Sequence, residues 1–153
     1  MKRTLVFALV FVLVLIFLLL KPVQEKTIYF YSGGKNVTLL VKIADTDETR
    51  TKGLMFVESL DNYKGMLFVF DDEAKRTFWT KNTLIPLDMI FVAANGTVVG
   101  VVEDAKPCNE NPCQTYSVNA ASRYVVEANA GFARENKIAE GTFFPNNLYK
   151  GDG

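Results

Sequence analysis

Gly65-Met66-Leu67-Phe68-Val69-Phe70 is apolar on both faces of an extended chain, and Asp71-Asp72-Glu73 closes it. A short run of this kind predicts a central strand that water touches on neither side. The segments around it are read as its partners and cover. Thr27–Tyr31 is rich in β-formers and leads through the turn cluster Ser32-Gly33-Gly34-Lys35 into Asn36–Ile43. There Val37, Leu39, Val41 and Ile43 alternate with Asn36, Thr38, Leu40 and Lys42, the pattern of a half-buried strand in a hairpin with the first. Asn95-Gly96 joins Leu87–Val92 to Thr97–Val102 in a second hairpin, with Gly100 as a candidate bulge. Arg123–Ala128 reads as a strand, and Ile138–Phe143 turns into a last one.

Two short helices complete the pattern. Asp45 caps the first, with Asp45-x-x-Glu48 spaced for a capping box, Arg50 and Lys52 in its last turn and Gly53 as its stop. A helix so short and polar must dock through neighbours such as Leu54 and Met55. The second runs over Ala130–Lys137. The fold class is therefore α+β and mainly β: a small barrel-like or sandwich domain of six to eight short strands with two short helices.

Ahead of this domain, Lys2 and Arg3 precede an unbroken apolar run, Leu5–Leu20, which ends at Lys21-Pro22. Its length at helical rise is roughly 24 Å, a little short of a typical hydrocarbon core. No small-residue cleavage site follows it, so an N-terminal transmembrane anchor over residues 1–22 is preferred to a signal peptide. The cations before the run place the N-terminus in the cytoplasm and the rest outside, a single-pass membrane protein. Residues 23–35 are then spacer and first strand, and residues 36–146 the β-rich domain.

The charges balance, 17 basic against 17 acidic, and no basic stripe marks a nucleic-acid partner. The chain has no histidine. That excludes Ser-His and Cys-His nucleophile systems and removes the commonest transition-metal ligand. No metal and no cofactor is expected. Cys108 and Cys113 flank the polar loop Asn109-Glu110-Asn111-Pro112. Outside the cell a disulfide staple is the first reading. A redox-active pair and part of a metal site stay open behind it. Asn36-Val37-Thr38 and Asn95-Gly96-Thr97 fit the glycosylation acceptor pattern.

Several of these segments, taken in order, carry a resemblance. Arg50-Thr51-Lys52-Gly53-Leu54-Met55, Gly65–Phe70 and Phe78-Trp79-Thr80-Lys81-Asn82-Thr83-Leu84-Ile85-Pro86-Leu87-Asp88 together resemble the DUF192 (UPF0127) family. Pro107-Cys108, Cys113 with Tyr116, Arg123-Tyr124-Val125-Val126-Glu127 and Ala130-Gly131 continue the match. Where the family usually reads Phe-Trp-Met-Lys-Asn-Thr, this chain has Thr80. The resemblance implies a small β-rich, barrel-like domain, commonly exported or membrane-attached, and brings no reaction with it.

Within these motifs Asp88 stands out. On a strand it shares a face with Ile90 and Val92, a costly place for an unpaired carboxylate. Lys81 and Asn82, across the Pro86 turn, offer charge and amide hydrogen bonds. Arg76, Arg123 and Glu127 would complete a polar cluster, with Trp79 as an apolar or stacking wall. The structural alternative has Asp88 satisfying backbone amides at the Lys81–Pro86 turn and Trp79 filling core. Two functions follow. One is a membrane-tethered extracytoplasmic module that binds a small polar ligand or a membrane or envelope protein. The other is a hydrolase-type enzyme using Asp88, Lys81 and Glu127.

Overall fold

The computed structural model describes residues 24–145, together with the isolated positions Phe7 and Phe11. The proposed anchor over Leu5–Leu20 otherwise lies outside the described residues. Among those residues no helix is long and apolar enough to cross a membrane.

The domain is mainly β, with six strands in a half-barrel and two short helices. In chain order these are β1 (Glu25–Ser32), β2 (Lys35–Ala44), α1 (Asp47–Lys52), β3 (Lys64–Trp79), β4 (Leu87–Val92), β5 (Val98–Ala105), β6 (Thr115–Asn129) and α2 (Phe132–Glu135). They form one sheet in the order β1-β2-β3-β6-β4-β5. Every neighbouring pair is antiparallel except β2 with β3.

The two-sided apolar run sits where its composition requires, in the middle of the sheet. Leu67 and Val69 point into one core cluster with Phe30, Val41, Ile90 and Val126. Met66 and Phe68 point into the other with Leu87, Met89, Phe91 and Val125. Successive side chains of a strand alternate between faces, so β3, β4 and β6 each feed both clusters.

β3 does not stop at Asp71. It runs to Trp79, and after an irregularity its pairing with β6 resumes at Ala74↔Ser122. The acidic triplet lies exposed at that irregularity, so its charges cost the strand nothing. β6 is likewise longer than Arg123–Ala128, because Thr115–Ala121 pairs with the outer half of β3.

Ile138–Phe143 forms no strand. It clips the two sheet edges together through isolated bridges of Phe143 to Tyr31 of β1 and to Thr97 beside β5. Phe144 closes the clip, its N–H donating to the Gly96 carbonyl at 2.6 Å.

The first helix starts one residue later than expected. Thr46, not Asp45, is the cap, and the capping box is reciprocal with Thr49 rather than Glu48. A threonine hydroxyl at each end serves both free amides, at 3.2 and 3.0 Å. Gly53 ends the helix at φ 47°, and Leu54 is buried behind it. The second helix is shorter than Ala130–Lys137, starting behind Gly131 at φ 93°.

Candidate functional site

The outer half of β3 and helix α1 face each other across a groove of about 500 Å³, lined by Asp47, Arg50, Phe70, Arg76, Phe78 and Trp79 among others. At one end it narrows into a cavity of about 40 Å³ bounded by Gly53, Leu54, Met55, Lys81, Thr83 and Glu127. That is room for a few waters. Arg50, Thr51, Phe68, Phe78 and Trp79 line both spaces. Phe78 stacks edge-on against Phe68, Phe70 and Phe91, which fixes the floor. Trp79, the only tryptophan, is 51% exposed, so it walls the groove instead of filling core.

The turn after Trp79 is fixed from three sides. The Thr80 hydroxyl donates to the Lys106 carbonyl at 2.6 Å, which accounts for a buried threonine there. The Asn82 N–H donates to the Cys108 carbonyl, and the Asn82 carbonyl accepts from the Phe56 N–H. Asn82 and Phe56 both have positive φ, 56° and 63°, so two left-handed residues meet at the rim. Asn82 thus takes part through its backbone. Cys108 and Cys113 are joined in a disulfide, as the staple reading requires. The loop they close accepts the Lys81 ammonium through the Glu110 carbonyl at 2.7 Å.

Asp88 is fully buried and its charge is answered by two backbone amides, at 2.9 Å each. These belong to Asp104 and Ala133, not to the Lys81–Pro86 turn. One is at the end of β5 and the other inside α2, so Asp88 ties three elements together.

Glu127 faces the other way. It pairs with Met66 and Met89 at the centre of the sheet, whereas Asp88 pairs with Ala128. Adjacent strand residues point to opposite faces. Asp88 therefore lies on the face of Ile90 and Val126, and Glu127 on the face of Met89 and Phe68. Glu127 is 4% exposed, and neither carboxyl oxygen has a hydrogen-bond partner among the described residues. The Ser122 hydroxyl is the one sealed and unpartnered polar atom among those residues, so the Glu127 carboxyl reaches the small cavity it lines. Burial pushes its pKa up to about 8, so at neutral pH it is a carboxylic acid that can both donate and accept.

Of the residues singled out from sequence, the groove brings together Trp79, Lys81, Arg76 and Glu127. Asp88 is left on the far face, and the Arg123 side chain donates to the Phe70 carbonyl at 3.3 Å. Arg50, Thr51, Lys52, Phe70 and Phe78 belong to the site as well. Arg50-Thr51-Lys52-Gly53 was conspicuous in the sequence, but its charges were accounted for as helix-end residues. Among the described residues no cluster of acidic or cysteine side chains is arranged to hold a metal ion.

The profile of DUF192, described as "Uncharacterized ACR", matches residues 29–144, which run from within β1 to the closing clip and include the groove. The chain belongs to the DUF192 family. Among solved structures, the chain is similar to a proposed transcription regulator from Sinorhizobium meliloti 1021. That chain is 29% identical with a TM-score of 0.74, over 80% of this chain and 93% of that one. A protein of unknown function from Novosphingobium aromaticivorans DSM 12444 is similar at 28% identity and TM-score 0.75, over 82% of this chain and 87% of that one. Comparison with curated proteins returns no match.

Proposed function

We propose that this DUF192 chain is a binding module that receives a small polar ligand in the groove between α1 and β3, held at the outer face of a membrane by Leu5–Leu20. One observation carries the binding reading. A carboxyl group at the centre of the sheet is buried, has no hydrogen-bond partner among the described residues and lines a cavity that opens beside an exposed tryptophan. Buried polar groups are paired in the great majority of cases, and a perturbed carboxyl in a cleft is a functional-site candidate. The Cys108–Cys113 disulfide supports an oxidising compartment.

Binding is favoured over hydrolysis because a two-carboxylate mechanism needs both groups within about 5–9 Å on either side of one bond. Asp88 is closed off by amides on the opposite face, and the groove's other carboxylate, Asp47, is fully exposed and paired to Arg50 at 2.7 Å. The transcription-regulator role proposed for the Sinorhizobium relative is not carried over, since 17 basic and 17 acidic residues leave no general excess of positive charge for a nucleic-acid partner.

Trp79 is a built-in reporter for the test. The full chain in detergent is titrated with a library of small polar metabolites while Trp79 emission and the unfolding midpoint are followed. The reading requires at least one compound that shifts both, and whose effect weakens tenfold or more in Glu127→Gln. A library that moves neither signal in the wild-type chain overturns it.

A further inference from the structure

The charge and shape of the groove narrow the ligand class, on the assumption that the groove is a binding site. Five cations line it and its narrow end: Arg50, Lys52, Lys75, Arg76 and Lys81. Against them stand Asp47, paired to Arg50, Asp72, paired to Arg76, and the buried Glu127, which leaves the cations in excess. A low-dielectric cleft lined by one sign of charge concentrates ligands of the other sign.

Two of these cations are held in place. The Arg50 guanidinium donates to the carbonyls of Asp45 and Val69 and to the Asp47 carboxylate, at 2.7 Å each. The Arg76 guanidinium donates to the Asp72 carbonyl and carboxylate at 2.6 Å and to the Ser122 carbonyl at 3.3 Å. Both lie over the ring of Phe70, at 5.3 and 4.0 Å from its centroid. Their side chains are 17% and 16% exposed. Arg50 Nε and Arg76 Nη1 still have no acceptor among the described residues. Two guanidinium groups with ordering already accounted for, each with donors to spare, match a planar carboxylate.

The narrow end that Glu127 and Arg50 line is also lined by the half-exposed Trp79 and by Thr51 and Thr83. A flat, apolar C–H face fits against the indole while hydroxyls at its edge meet groups that both donate and accept. A pyranose ring has that construction. We propose that the occupant is a sugar acid, a pyranose bearing one carboxylate, with the acid on Arg50 and Arg76, the ring on Trp79 and a hydroxyl reaching Glu127. A free hexuronate and a uronate unit of a polymer share this chemistry.

The full chain in detergent is titrated with galacturonate, glucuronate and mannuronate, with the matching neutral hexoses, and with trigalacturonate, reading Trp79 emission. At least one hexuronate should bind tenfold or more tighter than its neutral hexose. Arg76→Gln should abolish that preference with an unchanged far-UV spectrum, and Arg76→Lys should restore part of it. Trigalacturonate binding more tightly than galacturonate identifies a polymer unit as the source, and equal binding identifies the free acid. Either result supports the proposal. It is overturned if every hexose matches its acid, if Arg76→Gln leaves the preference intact, or if no uronate moves the emission. In those cases a Glu127-dependent neutral ligand from the metabolite library still upholds the binding reading, which falls only with a silent library.

Discussion

Replacing Glu127 by glutamine keeps the side chain's shape and removes its proton. The folded-state pKa is raised from 4.5 to about 8 by burial alone. Between those values the folded chain holds a proton that the unfolded chain has released, so stability must fall as pH rises. It is complete below about pH 4.5, declines through the interval and is lost once pH passes the folded value near 8. At about 1.4 kcal/mol per pH unit the full interval amounts to about 5 kcal/mol, an upper figure because the carboxyl adjoins a cavity that admits water.

Domains of this size are stable by about 5–15 kcal/mol, so the effect is large. The window is also clean. There is no histidine in the chain, the two cysteines are joined, and the other shifted groups among the described residues are Lys64, raised above 10.5, and Asp72, lowered below 3.8. Urea unfolding of the full chain in detergent, followed by Trp79 emission from pH 5 to 9, should show the midpoint falling by about 2 M. In Glu127→Gln it should stay level. A level wild-type profile, or the same decline in the variant, refutes the assignment of a buried, unpaired carboxyl.

Asp88→Ala strands the amides of Asp104 and Ala133 and should cost about 4 kcal/mol in urea unfolding at neutral pH, while leaving any Trp79 ligand response intact under native conditions; a loss below about 1 kcal/mol would contradict the tie between three elements. Gly65→Ala would drive a Cβ into the Glu127 carbonyl oxygen, so the unfolding free energy should drop by about 3 kcal/mol or more, and a wild-type value would show that β3 and β6 are not that close. Cys108→Ser with Cys113→Ser should cost about 2 kcal/mol, and reducing agent should shift the wild-type midpoint equally. Insensitivity to reduction would rule out the staple.

What could be read from residues alone was whatever depends on near neighbours in the chain. Gly65–Phe70, the Asn95-Gly96 hairpin and the Gly53 helix stop all announce themselves within a few positions. The outer halves of β3 and β6 were missed because each owes its existence to the other. Asp71-Asp72-Glu73 is a stop signal locally, and only pairing across the sheet overrides it. Asp88 reads from the sequence as a carboxylate on an apolar face, but its partners lie 16 and 45 residues further along the chain, beyond any local pattern. The same limit explains why Asp88 and Glu127 were grouped together. Which face each occupies follows from the register of β4 against β6, and one residue of slip would have reversed the answer.

Helix α1 has one more consequence. It buries none of its own residues, and the Arg50 guanidinium holds it to Val69 by a single long arm. The opposite side of the groove is a strand locked into the longest ladder of the sheet. One jaw of the groove is therefore hard and the other soft. A guest that draws Arg50 towards itself tightens or slackens that strap on the soft jaw, so occupancy should be written in the amide exchange of Asp47–Lys52 while the strands stay silent.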